Sequence, residues 1–390
     1  MGRVTLAAVG DISFCRGPMV ERIAGGEVGF PFEHVFESLK AADVRFGNQE
    51  SVLTPADFPA DKLPRRALQS PDVVADSLAV AGFDVMHVAS NHALDCGSRG
   101  LASTCARLRE IGVQPLGADP DPAEARAMRG VERDGLRIGF LGYLEPCNWV
   151  LRGGGGKVSL FNLAEALADI ARCREQVDTL VVSLHADLEF RPGPSVPRVD
   201  VCRAMVDAGA DLVLCHHPHV PQGIERWGEG LIAYSLGNFI FPSGPYLRNV
   251  GGPDVNRATI LHVNLDDGRV GGARRESFRI DPDEGRPYPL TTDEQAEADA
   301  HHAMLDAIVA DPERLREMWY ASCRVYLKTA WPQIVKAGPE GFVDQVGWRL
   351  LGLDENANWV AGIVEMARQR YADNSRGDFE FTRPNAPFET

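Results

Sequence analysis

Five of the ten histidines in this chain, His92, His185, His216, His217 and His219, stand at or just beyond the ends of short apolar runs, and Asp11, Glu50 and Asn91 end others. Imidazole nitrogens with carboxylate and amide oxygens form a donor set suited to Mn²⁺, Fe²⁺, Zn²⁺ or Co²⁺. Imidazole is also the side chain that exchanges protons near neutral pH. A single histidine at a strand end is more often a structural residue than a ligand. Eight such groups from five separate segments are a different matter, because burying imidazoles and carboxylates together costs several kcal/mol unless something neutralises them. A pair of divalent ions is the economical solution.

The elements that must position these groups are strands. Apolar runs at residues 4–9, 44–46, 85–89, 180–184 and 212–214 end in Gly-Asp, Gly-Asn-Gln-Glu, Ser-Asn-His, His and Cys-His-His-Pro-His. Residues 71–81, 97–111 and 163–176 carry apolar positions at three- and four-residue spacing and read as crossover helices, which implies largely parallel pairing. In an open α/β sheet the carboxyl ends of parallel strands face one edge, where ligands bind. Residues 231–236, 258–265 and 274–280 read as β-segments, with Asp266-Asp267-Gly268 as a turn, and are expected to form antiparallel strands closing a second sheet. Arg152 to Lys157, with four consecutive glycines, reads as a flexible surface loop and lacks the spacing of a phosphate-binding P-loop.

Beyond Asp281 the pattern is helical, through residues 292–310, 312–329 and 358–371. This stretch carries Trp319, Trp331, Trp348 and Trp359, four of the six tryptophans. It reads as an appendage whose aromatics pack on the α/β core, the alternative being a cap that shapes substrate access. The tail at 373–390 reads as extended or mobile. The expected partition is an α/β domain at 1–281, a helical region at 282–372 packed on it, and the tail.

Composition narrows the function. The 390 residues include 40 Lys+Arg against 55 Asp+Glu, a formal charge of −15, with 44% hydrophobic and 24% charged residues. That is a soluble globular chain, not a disordered one. A pI near 5.2, and no basic cluster longer than Arg65-Arg66 or Arg274-Arg275, argue against a nucleic-acid partner. A long polyanion is also repelled unless metal ions or a local basic patch offset the charge. The eight cysteines include no CxxC pair and read mostly as small buried hydrophobes. The start shows no signal-peptide pattern, and no apolar stretch reaches about 18 residues, so the expectation is a cytoplasmic protein without a membrane partner.

Six segments together carry a resemblance: Gly10-Asp11; Gly47-Asn48-Gln49-Glu50; Ser90 to Gly97 (SNHALDCG); His185 to Glu189 (HADLE); Ala210 to Val220 (ADLVLCHHPHV); and Tyr234 to Phe239 (YSLGNF). In this order they resemble the motifs of the CapA (poly-γ-glutamate capsule biosynthesis) family, within the calcineurin-like metallophosphoesterase superfamily. The resemblance covers roughly residues 4 to 241. It implies an α/β fold, a four-layer α/β/β/α sandwich with a dinuclear metal site on one edge, to which the C-terminal helices are appended. It further implies that Asp11 binds the first metal and that Glu50 bridges where phosphoesterases usually place Asp. Asn91 and His185 then serve the second metal, and His217 and His219 complete a GHxH-like pair. His92 matches the general-acid position, and His92 and Asp11 are the expected catalytic residues. The implied cofactors are two divalent ions, Mn²⁺ first, with Zn²⁺, Fe²⁺, Co²⁺ or Ca²⁺ as alternatives.

Two positions depart from the pattern. Ser13 stands where D-x-H phosphoesterases have histidine, leaving the first metal fewer ligands, and Ala186-Asp187 replaces the Trp-Gly that commonly follows the fourth-motif histidine. Both point away from ordinary phosphoester hydrolysis. The leading expectation is therefore a metal-dependent, organic-cofactor-independent epimerase that inverts a Cα centre of a peptide substrate. This agrees with the resemblance to CapA-like epimerases of ribosomal (lasso) peptide pathways. The alternatives are a metal-dependent phosphoesterase, a CapA-type polyglutamate biosynthesis protein, and a binding protein whose metals are structural. The sequence leaves the oligomeric state open.

Overall fold

The structure, a computed structural model, describes residues 2–15, 18–61, 67–146, 157–336 and 354–374. The glycines at 153–156, Arg65-Arg66, Cys147, Trp348, the Trp331 side chain and residues 375–390 lie outside the described residues, while the first two residues of the expected extended tail, 373–374, end a helix instead. In chain order the strands are β1 (Arg3–Ile12), β2 (Val44–Gln49), β3 (Val52–Thr54), β4 (Gln69–Pro71), β5 (Val85–His87), β6 (Gln114–Leu116), β7 (Arg129–Arg133), β8 (Leu136–Leu144), β9 (Thr179–His185), β10 (Leu212–His216), β11 (Ile224–Trp227), β12 (Gly230–Ala233), β13 (Asn238–Ile240), β14 (Arg257–Asp266), β15 (Arg269–Ile280) and β16 (Pro287–Pro289).

Two sheets form. The first runs β16-β15-β14-β1-β2-β5-β6, with β13 alongside the end of β1, and the second runs β11-β12-β10-β9-β8-β7. Strands β1, β2, β5 and β6 are parallel, as are β8, β9, β10 and β12. The alternation of side chains assigns the layers. In β1, Val4, Leu6 and Ala8 enter the core between the sheets while Ala7 and Val9 face the helices outside. In β9 and β10, Val181, Leu212 and Leu214 face inward, and Val182, Leu184 and Val213 face their own helical layer. Phe46 of the first sheet stacks on Phe140 of the second at 5.7 Å. The helices Ala75–Ala81 and Gly97–Glu110 cover one outer face, and Leu163–Arg174 and Val196–Asp207 the other. This is the four-layer sandwich the resemblance implies.

Two expectations need correction. Residues 258–265 and 274–280 do not close a second sheet. β14 pairs antiparallel with β1, Val9 opposite Ile260, and β15 continues the first sheet outward. The second sheet instead takes β12, parallel to β10. An apolar run shows that a strand exists, but its partner depends on which sheet edge is open. The helix expected from residue 71 begins at Ala75, because Pro71 is extended (ψ 138°) and pairs in β4, with a 3₁₀ turn following. The antiparallel hairpin β7–β8 had no sequence-based expectation.

Helix Thr292–Ala310 starts at a capping box, Thr291 with Glu294, and places Leu305, Ile308 and Val309 in the core outside the second sheet. Helices Pro312–Lys336 and Asp354–Asn374 follow. Their Trp319, Tyr320, Cys323 and Trp359 bury a cluster with Leu188, just beyond β9. Among the described residues no helix is long and apolar enough to cross a membrane.

Candidate metal centre

Sheet register sets the positions. Asn238, Asp11, Asn48 and His87 lie side by side across β13, β1, β2 and β5. In the second sheet Leu144, His185 and His216 form the matching row across β8, β9 and β10. Apart from Asn238, the first residue of β13, both rows sit at the carboxyl ends of parallel strands. Glu50 follows β2 directly, its N–H donating to Ile12 O at 2.9 Å. Gly10 permits this crowding, since a Cβ there would lie 1.9 Å from Gly237 O. The bare backbone lets residues 236–238 press against β1, where Asp11 N–H donates to Gly237 O at 2.9 Å.

All six residues expected to bind metal are buried and form one chain of contacts. Asn91 Oδ1 is 3.0 Å from His185 Nε2, and the His185 and His217 ring centroids are 4.9 Å apart. His219 lies 3.3 Å from Asp11 Oδ2 through Nδ1 and 3.6 Å from Glu50 Oε1 through Nε2. One donor atom each of Asp11, Glu50 and His219 fall within 4.8 Å of one another, and so do those of Glu189, His217 and His219. Ligands on a common ion, at bonds of about 2.0–2.3 Å, have such mutual separations. Both carboxylate oxygens of Glu50, both ring nitrogens of His217 and of His216, and Oδ1 of Asn48 are buried without a hydrogen-bond partner. Orphaned buried acceptors are costly, so a donor set of this composition fits divalent cations.

The electrostatics agree. Burial pushes His217 down to about 3 and His216 to about 4, and holds His185 well below the usual imidazole range, so these rings are neutral with lone pairs to offer. Glu50 is raised well above the carboxylate range by burial, with the like charge of Asp11 adding to it. The burial of Asp11 is outweighed by His219, His216 and Asn48 together, which hold its carboxyl low. His219 goes the other way, to about 10, its burial outweighed by Glu50 and Asp11. A metal ion requires the neutral imidazole. Below about pH 10 it must displace the His219 proton, so metal affinity is expected to rise with pH across the neutral range, by about tenfold per unit for one displaced proton. Titration calorimetry in buffers of different ionisation heat checks this. Affinity that stays flat with pH, and no proton release, would refute it.

His92 stands apart from the ligand chain. Its Nδ1 lies 2.6 Å from Asp95 Oδ2, its Nε2 is 4.0 Å from Glu50 Oε1, and its side chain keeps 15% exposure. Asp95 also accepts Leu68 N–H at 2.8 Å. With its Nδ1 proton held by this anchored carboxylate, His92 presents Nε2 toward the cluster from its open side. His216, the fifth strand-end histidine, sits between the sheets near Phe46 and His87, 3.6 Å from Asp11 Oδ1.

Other residues in the site were not singled out in the sequence reading. Asn48 donates to Asp11 Oδ1 at 2.8 Å and lies 3.4 Å from His185 Nδ1, linking the two sheets. Asn238 Oδ1 is 3.0 Å from His219 Nδ1, while its own NH₂ donates to Val255 O. That arrangement keeps a proton on Nδ1, so the proton that a metal ion would displace is the one on Nε2, which faces Glu50. Both asparagines lie in the quoted motifs; their lateral register with Asp11 is the signal that marks them. His217 (φ 100°) and His219 (φ 60°) occupy left-handed backbone, as do Asp187 (φ 84°) and Phe190 (φ 57°) in the facing loop. Such conformations cost about 1–3 kcal/mol each and cluster at working sites. Asp187 occupies the position where the resemblance has glycine, and its carboxylate accepts Ser195 N–H at 2.8 Å, partly offsetting the strain.

Residues 5–243 match the family described as bacterial capsule synthesis protein PGA_cap. The capsule biosynthesis protein CapA of Bacillus anthracis is 28% identical over 301 residues, covering 74% of this chain and 70% of its own length. The PGA biosynthesis protein CapA of Bacillus subtilis (strain 168) is 28% identical over 292 residues, 73% of each chain. Among solved structures, a 5'-nucleotidase precursor from Thermus thermophilus superimposes with a TM-score of 0.44 at 14% identity, over 78% of this chain and 59% of that one. So loose a likeness carries nothing about chemistry.

Proposed function

The chain belongs to the bacterial capsule synthesis protein PGA_cap family, and from that premise we propose a divalent-metal-dependent enzyme acting on a glutamyl-type peptide chain, in keeping with the capsule and PGA biosynthesis its relatives are named for. The observation that carries the reading is the set of buried, unpartnered donors of Glu50, His217 and Asn48 at the carboxyl edge of both sheets. Asp11, Glu50 and His219 would hold one ion, and Glu50, Asn91, His185 and His217 a second. When bound, such ions polarise a carbonyl, carboxylate or phosphoryl oxygen. Their charge also outweighs the two carboxylates of this donor set, so the site attracts an acidic chain although the whole protein carries −15. Asp95 orients His92, whose Nε2 gives or takes the proton at the reacting group. Phe190 and Phe241, with ring centroids 5.7 and 5.1 Å from that of His219, keep water from that side.

A second reading, inversion of a peptide Cα centre, is favoured by Ser13 in the histidine position of the phosphoesterase pattern and by the placement of His92 for proton transfer at carbon. The test is incubation of the protein and Mn²⁺ in D₂O with α- and γ-linked glutamyl peptides and with unrelated peptides, followed by mass and chiral analysis and a phosphate assay. Shortening or transfer of glutamyl chains is the expected result. Deuterium at an inverted carbon, with no bond cleaved, would instead establish the second reading. Phosphate release from simple esters, with neither peptide outcome, would overturn both.

A further inference from the structure

Glu189 has no role in the donor set assigned so far, yet its place is built with care. One of its carboxylate oxygens lies within 4.8 Å of ring nitrogens of both His217 and His219. His217 is fully buried, and neither of its nitrogens has a hydrogen-bond partner. The residues on either side of Glu189 are anchored independently. Leu188 is 2% exposed and packs with Trp319, Tyr320, Cys323 and Trp359 of the C-terminal helices. Phe190 N–H donates to Pro218 O at 2.9 Å, between the two histidines, and its ring stacks on His219. Next along, the Arg191 guanidinium lies over the Trp359 ring at 5.5 Å, and Arg191 O accepts from Gln222 Nε2 at 2.9 Å. A Cβ on Gly193 would fall 2.0 Å from the Met318 side chain, so helix Pro312–Lys336 lies directly on this segment.

We propose that Glu189 is a further metal-ligating carboxylate of this site, held beside His217 and His219 by the C-terminal helices. The proposal rests on the metal reading above and extends it. Two divalent ions balanced by Asp11 and Glu50 alone leave a surplus of positive charge in a buried site, and Ser13 contributes no imidazole to the first ion. A third carboxylate lowers that surplus. The helical region thereby gains a task beyond covering the second sheet: Trp359 and Arg191 are positioning residues for Glu189.

The test uses Mn²⁺ alone, read by calorimetry, by metal content after dialysis and by the Mn²⁺ paramagnetic resonance spectrum, which reports the ligand set without turnover. Glu189→Gln, close in shape, is expected to weaken binding at least about 10-fold and to alter the spectrum. Glu189→Asp serves as the second variant and should keep part of the affinity. Trp359→Ala and Arg191→Met, checked for intact folding by circular dichroism, should shift the spectrum the same way with a smaller loss. Wild-type protein that binds no metal would overturn the metal reading as a whole. Wild-type binding matched by Glu189→Gln, with an unchanged spectrum, would overturn the role of Glu189 alone. A loss in Glu189→Gln not shared by the two positioning variants would overturn the clamp.

Discussion

Glu50→Gln is expected to cost more metal affinity than any other single change in the site, while leaving the metal-free protein as stable as before or more so. The two effects share one cause. Glu50 is fully buried, both of its oxygens lack hydrogen-bond partners, and burial together with Asp11 pushes its carboxyl well above the usual range. Without a cation the charged form is a liability, and an uncharged amide of the same shape removes it. With cations present, the same carboxylate would neutralise both ions in the proposed donor set. Removing one partner from a buried pair of charges costs about 3–5 kcal/mol, or about 10²- to 10⁴-fold in affinity. Asn91→Ala, which deletes a neutral oxygen serving one ion, is expected to lose less. Thermal melts with and without Mn²⁺, together with calorimetry on both variants, provide the comparison. A Glu50→Gln protein that melts lower without metal but binds Mn²⁺ normally would make Glu50 a structural residue.

His92→Ala is expected to retain its metal and lose at least about 10²-fold in turnover, the usual contribution of a positioned acid or base. The geometry separates proton transfer from ligation. His92 is anchored through Nδ1 by Asp95 and keeps part of its side chain exposed, whereas Asp11, Glu50, Asn91, His185, His217 and His219 are buried. Asp95→Asn should keep metal as well, lose only part of the rate, and shift the pH–rate profile, because it changes the partner of the ring and not the ring itself. Metal content by elemental analysis alongside initial rates decides the matter. Loss of metal in His92→Ala would reassign His92 as a ligand.

The strand ends show how far the sequence reaches. Short apolar runs closed by Gly-Asp, Asn-His or His-His were readable as parallel strands whose carboxyl ends carry polar groups, and the order of those segments was enough to suggest the sandwich. Asp11, Glu50, Asn91, His185, His217 and His219 do lie in one buried chain of contacts. The helix Thr292–Ala310 was equally legible, since its capping box and apolar spacing are local. Each of these signals is set by covalent neighbours a few residues apart.

What only the tertiary structure decided concerns partners distant in sequence. β14 lies against β1 and not in the second sheet because β1 offers it an edge, and nothing within residues 257–266 encodes that choice. Asn48 and Asn238 belong to the site because they fall in register with Asp11 on either side of β1. Glu189 joins because helices more than a hundred residues later clamp its neighbours Leu188 and Arg191. The proton on His219 depends on whether Glu50 and Asp11 stand close enough to outweigh burial. Local propensity and periodicity act over a few residues along the chain, whereas register, desolvation and charge act over a few ångströms of space. A site assembled from two sheets and a distant helical region is defined by the second kind of distance.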